Sequence, residues 1–239
     1  MTAPGIVELL GFGPHGWGPA MLVACAVTIA VAATGFAVGA LIGALGAWAK
    51  LSGGRLLRGF ADGYTTVLRG IPDLLVIYLF YFGSSSVLTP VARLFGASGF
   101  VSLPGFLAGA LAIGVVSGAY HTEVFRGAYR AVSRGEIEAA TASGMPPLLK
   151  FRRIVAPLVL RYALPGLGNI WQLVLKESAL VSITGLVEIL RQAQIGAGST
   201  RQPFVFFAAA GALYLAISST SGWTLKRAQG HLARGLRRA

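Results

Sequence analysis

The feature that most constrains this sequence is a long uncharged segment near its N-terminus. Residues 21–49 contain no charged side chain and consist mainly of Ala, Val, Leu and Gly. About 20 consecutive apolar residues are needed to cross the hydrocarbon core of a bilayer as a helix. The segment therefore predicts a membrane-spanning helix. Its small residues recur at helical spacing, as in Gly35, Gly39 and Gly43, which predicts close approach of a second helix.

Composition and further apolar segments extend this prediction to the whole chain. Charged residues make up 12% of the 239 positions, against about 25% in soluble domains, so lipid must be the solvent for much of the surface. Further spans are predicted at residues 66–82, 103–120, 154–175 and 203–223. Residues 178–190 are apolar but too short to cross, which predicts a re-entrant, interfacial or packed segment. We predict an all-α membrane protein of about five transmembrane helices, forming a single domain over residues 1–239.

The distribution of basic residues predicts the orientation in the membrane. Basic residues concentrate before the second span (Lys50, Arg55, Arg58, Arg69), between the third and fourth (Arg126, Arg130, Arg134, Lys150, Arg152, Arg153, Arg161) and after the fifth (Lys226, Arg227, Arg234, Arg237, Arg238). Cytoplasmic loops carry an excess of Lys and Arg, so we expect the N-terminus outside and the C-terminus in the cytoplasm. This asymmetry accounts for the net charge of +12 without a nucleic acid partner. A sixth span at 178–190 would place the basic tail outside, which the same rule disfavours.

Metal-binding and catalytic residue types are scarce. The chain has a lone cysteine, Cys25, and its histidines His15, His121 and His231 lie far apart. We predict no metal site, and we expect His121 at the boundary of the third span rather than as a ligand. The same scarcity disfavours a membrane-bound transferase, and the lack of inverted repeats disfavours a secondary transporter.

The predicted cytoplasmic loop at residues 136–157 has the most specific pattern. Residues 138–143 favour a short helix, Gly144 can adopt the left-handed conformation that ends it, and Pro146 and Pro147 prevent its continuation. A second short helix is expected from about Leu148. The physical pattern fits a docking surface for a soluble partner and a solvated turn equally well.

The spacing within this loop resembles the EAA loop of permease subunits of bacterial ABC importers. That pattern is Glu-Ala-Ala, three residues, Gly, nine residues and Ile-x-Leu-Pro, and the sequence departs from it with Ala156 in place of Leu. The matching residues are Glu138, Ala139, Ala140, Gly144, Ile154 and Pro157. Residues 64–75, 118–127, 161–171 and 176–182 are similar to polar amino acid permeases. The chain most resembles the Q-type permease of histidine, lysine, arginine and ornithine importers, with opine permeases as close relatives.

The resemblance implies a fold, a set of partners and a transport function. The fold is the five-helix core of type I importer permeases, in a multi-pass protein of the bacterial inner membrane. The partners are a second, homologous permease subunit in a heterodimer, two cytoplasmic ATPase subunits and an extracytoplasmic solute-binding protein. The function is movement of amino acids, basic ones in the main interpretation and opines or other polar amino acids in the alternative. ATP and Mg²⁺ would be used by the ATPase partner, and this chain would bind no cofactor; its sequence has no Gly-x-x-x-x-Gly-Lys-Ser/Thr phosphate loop.

Polar residues within the spans are candidates for the substrate pathway, because a charge at membrane depth is costly unless it faces protein or water. Asp73 follows a predicted backbone break at Pro72, with pairing to Arg69 as the alternative; Glu123 could act as a gate or pair with Arg126. The acids outside the tails and cytoplasmic loops are Asp73, Glu123, Glu177 and Glu188. A helix break predicted at Pro165 would expose the residues that follow it. The pathway candidates are Asp73, Tyr120, Glu123, Trp171, Gln172, Ser178, Ser182 and Glu188.

Overall fold

The structure, a computed structural model, describes residues 5–14, 16–96, 99 and 101–233. The helices are α1 (Ile6–Leu10), α2 (Gly18–Ser52), α3 (Arg55–Gly70), α4 (Asp73–Leu94), α5 (Gly105–Ala131), α6 (Arg134–Ala142), α7 (Pro147–Lys150), α8 (Ala156–Glu177), α9 (Ile189–Thr200) and α10 (Pro203–Ala233). A π-helical turn (Phe151–Val155) precedes α8, and a 3-10 helix (Ser178–Thr184) follows it. No strand occurs among the described residues.

Five helical stretches are long and apolar enough to cross a membrane, which confirms the predicted number of spans. They are Gly18–Ser52, Asp73–Leu94, Gly105–Ala131, Pro147–Thr184 and Pro203–Gly230. The second span begins later than predicted because Ile71 precedes a proline and is extended, with φ −102° and ψ 147°. The predicted break at Pro72 is therefore present, between α3 and α4.

The predicted break at Pro165 is wrong, because α8 continues from Ala156 to Glu177 through this proline. A proline inside a membrane helix is tolerated when neighbouring groups compensate for its missing N–H. The adjacent Gly166 serves close packing instead: a Cβ there would lie 2.8 Å from Val124 Cγ1 of α5. The regular α-helix ends at Glu177, where the tighter 3-10 helix begins.

The chain divides into two compact units. Unit 1 comprises residues 1–35, 72–113 and 173–220. Its core includes Leu9, Met21, Ile189 and Phe206, and the Trp17 ring meets Phe206 edge-on at 5.4 Å. Residues 178–190, for which the sequence allowed a re-entrant, interfacial or packed segment, are packed within this unit. Val181 is fully buried, and a Cβ added at Gly109 would lie 2.3 Å from Val181 Cγ1.

Unit 2 comprises residues 36–71, 114–172 and 221–239. The predicted close approach along the glycine series of α2 is confirmed here, since a Cβ at Gly43 would lie 2.2 Å from the Cβ of His121 on α5. The expectation that His121 lies at a boundary is wrong. Its side chain is fully buried, with Nδ1 2.8 Å from the Ser117 carbonyl and its ring 4.7 Å from Phe36. The prediction of one domain over residues 1–239 stays a prediction.

Candidate functional site

The loop at residues 136–157 forms two short helices separated by a glycine turn. Helix α6 begins earlier than predicted, at Arg134, and the Glu136 carboxylate accepts a hydrogen bond from the Ser133 N–H at 3.3 Å. Gly144 has φ +73°, a conformation that L side chains rarely adopt. The Met145 N–H donates to the Ala140 carbonyl at 3.2 Å and closes the helix end. The predicted stop at Gly144 is therefore observed.

The same loop exposes a mixed polar and apolar surface. Glu138, Ala139 and Gly144 are exposed, and no ion pair within the described chain involves Glu138. Ala140 is buried, so it packs α6 inward instead of lying on the exposed surface. The Lys150 ammonium donates to Thr141 Oγ1 at 2.9 Å and ties α7 to α6.

Two apolar side chains of this surface were missed by sequence reasoning. Leu148 is 79% exposed and Phe151 56% exposed. Their spacing of three residues within a basic stretch was the available signal, since it places both on one side of a helix. Ile154, in the π-helical turn, is half-buried, and Pro157, in the first turn of α8, is exposed.

Glu123 lies in a charge network of unit 2. The Lys50 ammonium lies 2.7 Å from Glu123 Oε1, 2.8 Å from Asp62 Oδ1 and 2.7 Å from Thr65 Oγ1. Arg126 Nε donates to Glu123 Oε2 at 2.9 Å, so the alternative of an internal pair is observed. Lys50, counted above as a loop residue, has a buried side chain, and the network links α2, α3 and α5.

The other pathway candidates of unit 2 are aromatic or amide side chains. The Arg69 guanidinium lies 5.5 Å from the centre of the Tyr120 ring. The Trp171 ring meets Phe36 edge-on at 5.7 Å, and its buried Nε1 has no hydrogen-bond partner in the described structure. Gln172 is half-buried on α8, where its Nε2 lies close to Gly222 of α10.

Glu188 in unit 1 is fully buried and caps α9. Its carboxylate accepts hydrogen bonds from the backbone N–H groups of Leu190 at 2.8 Å and Arg191 at 2.7 Å, and from the Tyr214 hydroxyl at 2.8 Å. Burial raises the pKa of Glu188 above its ordinary value, and these hydrogen bonds offset only part of that rise. The contacts account for a buried carboxylate without a solute.

Glu177 and Asp73, also in unit 1, form a different kind of site. Glu177 ends α8 with only 6% of its surface exposed, and neither carboxylate oxygen has hydrogen-bond geometry to a described partner. The carboxyl group of Asp73, the first residue of α4, lies close enough to interact with it. Ser178 and Ser182 are buried on the following 3-10 helix. Sequence reasoning counted Glu177 among the available acids without choosing it, although its position beside Ser178 was the available signal.

Comparison with known proteins places these features in one family. Residues 35–238 match the family described as "Binding-protein-dependent transport system inner membrane component". The octopine transport system permease protein of Rhizobium radiobacter is 63% identical over 231 residues, covering 97% of this chain and 98% of that protein. The histidine/lysine/arginine/ornithine transport system permease protein of Escherichia coli K12 is 39% identical over 225 residues, covering 94% and 98%.

A solved structure agrees with this relation. The crystal structure of an amino acid ABC transporter with histidines has a TM-score of 0.74 at 29% identity, covering 90% of this chain and 95% of that one. This chain belongs to the family of binding-protein-dependent transport system inner membrane components, with the type I importer permease fold.

Proposed function

We propose that this chain is the permease subunit of an ATP-driven importer that moves amino acids with a cationic group across a bacterial inner membrane. The partners would be a homologous second permease subunit, two cytoplasmic ATPase subunits that use ATP and Mg²⁺, and an extracytoplasmic solute-binding protein. The N-terminus lies outside and the C-terminus in the cytoplasm, as the basic loops predict. The family supports the transport role. The exposed α6–Gly144–α7 loop is the observation that supports a separate, docked subunit for ATP hydrolysis.

The loop offers what a docking surface requires. Glu138 provides an unpaired charge, while Leu148 and Phe151 provide apolar area of the kind that concentrates binding energy at interfaces. The turn at Gly144 and the Lys150–Thr141 bond fix the two short helices relative to each other. Movement of a docked ATPase would therefore pull on the π-helical turn and α8, which follow directly in the chain.

The buried acids support a cationic solute. A carboxylate buried without a partner is costly, and Glu177 has Asp73 as a like-charged neighbour. An ammonium or guanidinium group placed between the two would relieve both conditions. Relatives whose names include histidine, lysine, arginine and ornithine favour basic amino acids, and those named for octopine favour the opine alternative.

The decisive experiment measures coupled transport in proteoliposomes that contain the complete transporter and its binding protein. Arginine, histidine and octopine are supplied in turn, and the solute that is taken up and accelerates ATP hydrolysis identifies the substrate class. We expect uptake of at least one of them. Uptake of none of the three would contradict the cationic assignment.

Coupling is tested with a matched pair of glycine variants in the same assay. Gly144→Val forces a β-branched residue to φ +73°, which costs roughly 1–2 kcal/mol, and we expect ATPase association and uptake to fall together. Gly135→Val lies on exposed α6, where an added Cβ meets only Ser133 Oγ at 3.5 Å, and should leave association unchanged. Equal behaviour of the two variants would refute docking at this turn.

A further inference from the structure

A charged cavity lies in unit 2, where the ends of α2 and α5 meet the polar side of α3. Its volume is about 390 Å³. The charged residues that line it are Lys50, Arg58, Asp62, Glu123, Arg126 and Arg130. The solute site proposed above, at Glu177 and Asp73, includes none of these residues.

The cavity has an excess of positive charge. Four cations face two carboxylates, which leaves a net charge of +2 (4 − 2). Both carboxylates are already engaged, Asp62 by Lys50 and Glu123 by Lys50 and Arg126. Arg58 and Arg130 are exposed, and their guanidinium groups make no ion pair or hydrogen bond with any described residue. These two guanidinium groups are therefore available for an anion.

The position of the cavity along its helices fixes its depth in a bilayer. Helices α2 and α5 have 35 and 27 residues, whereas about 20 suffice to cross the hydrocarbon core. Lys50 and Arg130 lie in the last turn of α2 and α5 respectively, so the cavity falls at headgroup level. Trp48, one turn before the end of α2, is 60% exposed, as is typical of side chains at the membrane interface.

Helix α3 provides the adjoining apolar surface. Its inner side is fixed by Tyr64, whose hydroxyl donates to the Val115 carbonyl of α5; burial raises the pKa of Tyr64 to about 12, so it stays a donor. Leu56 and Phe60, one turn apart on α3, are 92% and 79% exposed. A helix with one charged side and one exposed apolar side is suited to lie against lipid at the interface.

We propose that this cavity binds the headgroup of an anionic phospholipid, with the phosphate held by Arg58 and Arg130. Arginine pairs bidentately with phosphate oxygens, and basic pockets between membrane helices on the cytoplasmic side bind such headgroups. The exposed stripe of α3 places acyl chains next to the cavity. Neither arginine belongs to the solute site proposed at Glu177 and Asp73 or to the α6–α7 loop.

The test measures lipid binding to the complete purified transporter by native mass spectrometry. The probes are palmitoyl-oleoyl phosphatidylglycerol (PG) and the zwitterionic phosphatidylcholine (PC) with the same chains. Each basic residue near an anionic surface contributes about fivefold in affinity, equivalent to about 1 kcal/mol. We therefore expect the double variant Arg58→Gln/Arg130→Gln to bind PG relative to PC about 25-fold more weakly than the wild type does. Replacement of both arginines by lysine should restore much of it.

The matched control removes the same charge elsewhere. Arg93 and Lys226 are exposed, and their side chains make no ion pair with any residue that the structure describes, so Arg93→Gln/Lys226→Gln should keep the preference. An equal loss in both double variants would overturn the site in favour of general surface charge. Displacement of PG by millimolar inorganic phosphate would identify free phosphate as the ligand. If the Arg58→Gln/Arg130→Gln variant keeps its PG binding but loses the ATPase subunit, the cavity is a contact with protein and the proposal is overturned.

Discussion

Two buried glutamates of unit 1, Glu177 and Glu188, have the same chemistry and opposite surroundings. Glu188 is fully buried and has three hydrogen-bond donors within 2.8 Å. Glu177 is almost as buried, but it has no hydrogen-bond partner among the described residues and has the carboxyl group of Asp73 beside it. Burial alone therefore does not identify a functional acid. The hydrogen-bond donors distinguish the two carboxylates. Glu188 uses its donors to hold helices together, whereas Glu177 has no described donor and can be paired by a cation.

Glu123 in unit 2 shows an intermediate case. Lys50 and Arg126 neutralise its carboxylate, so it connects three helices. Its predicted role as a gate would require Lys50 to release it. The three acids thus range from a carboxylate saturated by neutral donors, through one saturated by cations, to one without a donor.

The largest effect that would sharpen the comparison is expected for Glu188→Ala. The substitution leaves the N–H groups of Leu190 and Arg191 and the Tyr214 hydroxyl without their acceptor. Each buried unsatisfied donor costs about 1–3 kcal/mol, so we expect a loss of roughly 3 kcal/mol or more. Thermal unfolding of the purified transporter, followed by tryptophan fluorescence, measures it.

The control for that loss is Glu177→Ala in the same assay. Because Glu177 satisfies no described donor, its removal should leave the unfolding temperature unchanged or higher. A comparable loss of stability in both variants would mean that Glu177 has a structural partner, and the comparison would fail.

The second effect concerns transport and is expected for Glu177→Gln. Loss of the negative charge should reduce uptake of a cationic solute at least tenfold, equivalent to about 1.4 kcal/mol, because charge pairing is strong in a low-dielectric site. Uptake of radiolabelled arginine or octopine into proteoliposomes measures it. The exposed acid Glu8 on α1 provides the control variant Glu8→Gln, which should transport normally. If Glu177→Gln took up the solute at the wild-type rate, this carboxylate would have no role in the substrate pathway.

The smallest effect is a pH dependence of stability from Glu188. Burial raises its pKa above the ordinary value of 4.5, so the folded state binds the proton more tightly than the unfolded state. Its contribution to the free energy of unfolding is therefore full below pH 4.5 and falls as pH rises through the raised pKa. Unfolding temperatures of wild type and Glu188→Gln between pH 4 and 8 measure it. A difference between the two proteins that stays constant with pH would contradict the assignment.

The sequence by itself determined the class of the fold and several local features. The length and apolar character of the spans predicted five membrane helices, since these properties belong to each segment alone. The break at Pro72 and the helix stop at Gly144 also followed locally, because a pre-proline residue and a left-handed glycine restrict the backbone of their own neighbours. The loop spacing predicted the family that comparison confirmed.

Only the tertiary structure decided which polar residues have partners. Pro165 was expected to break a helix that in fact continues, because surrounding helices determine whether a lost hydrogen bond is tolerated. His121 is buried where a glycine of α2 leaves room for it. The different surroundings of Glu123, Glu177 and Glu188 could not be predicted from the sequence either. Hydrogen bonds and ion pairs across the fold depend on which side chains distant segments bring together.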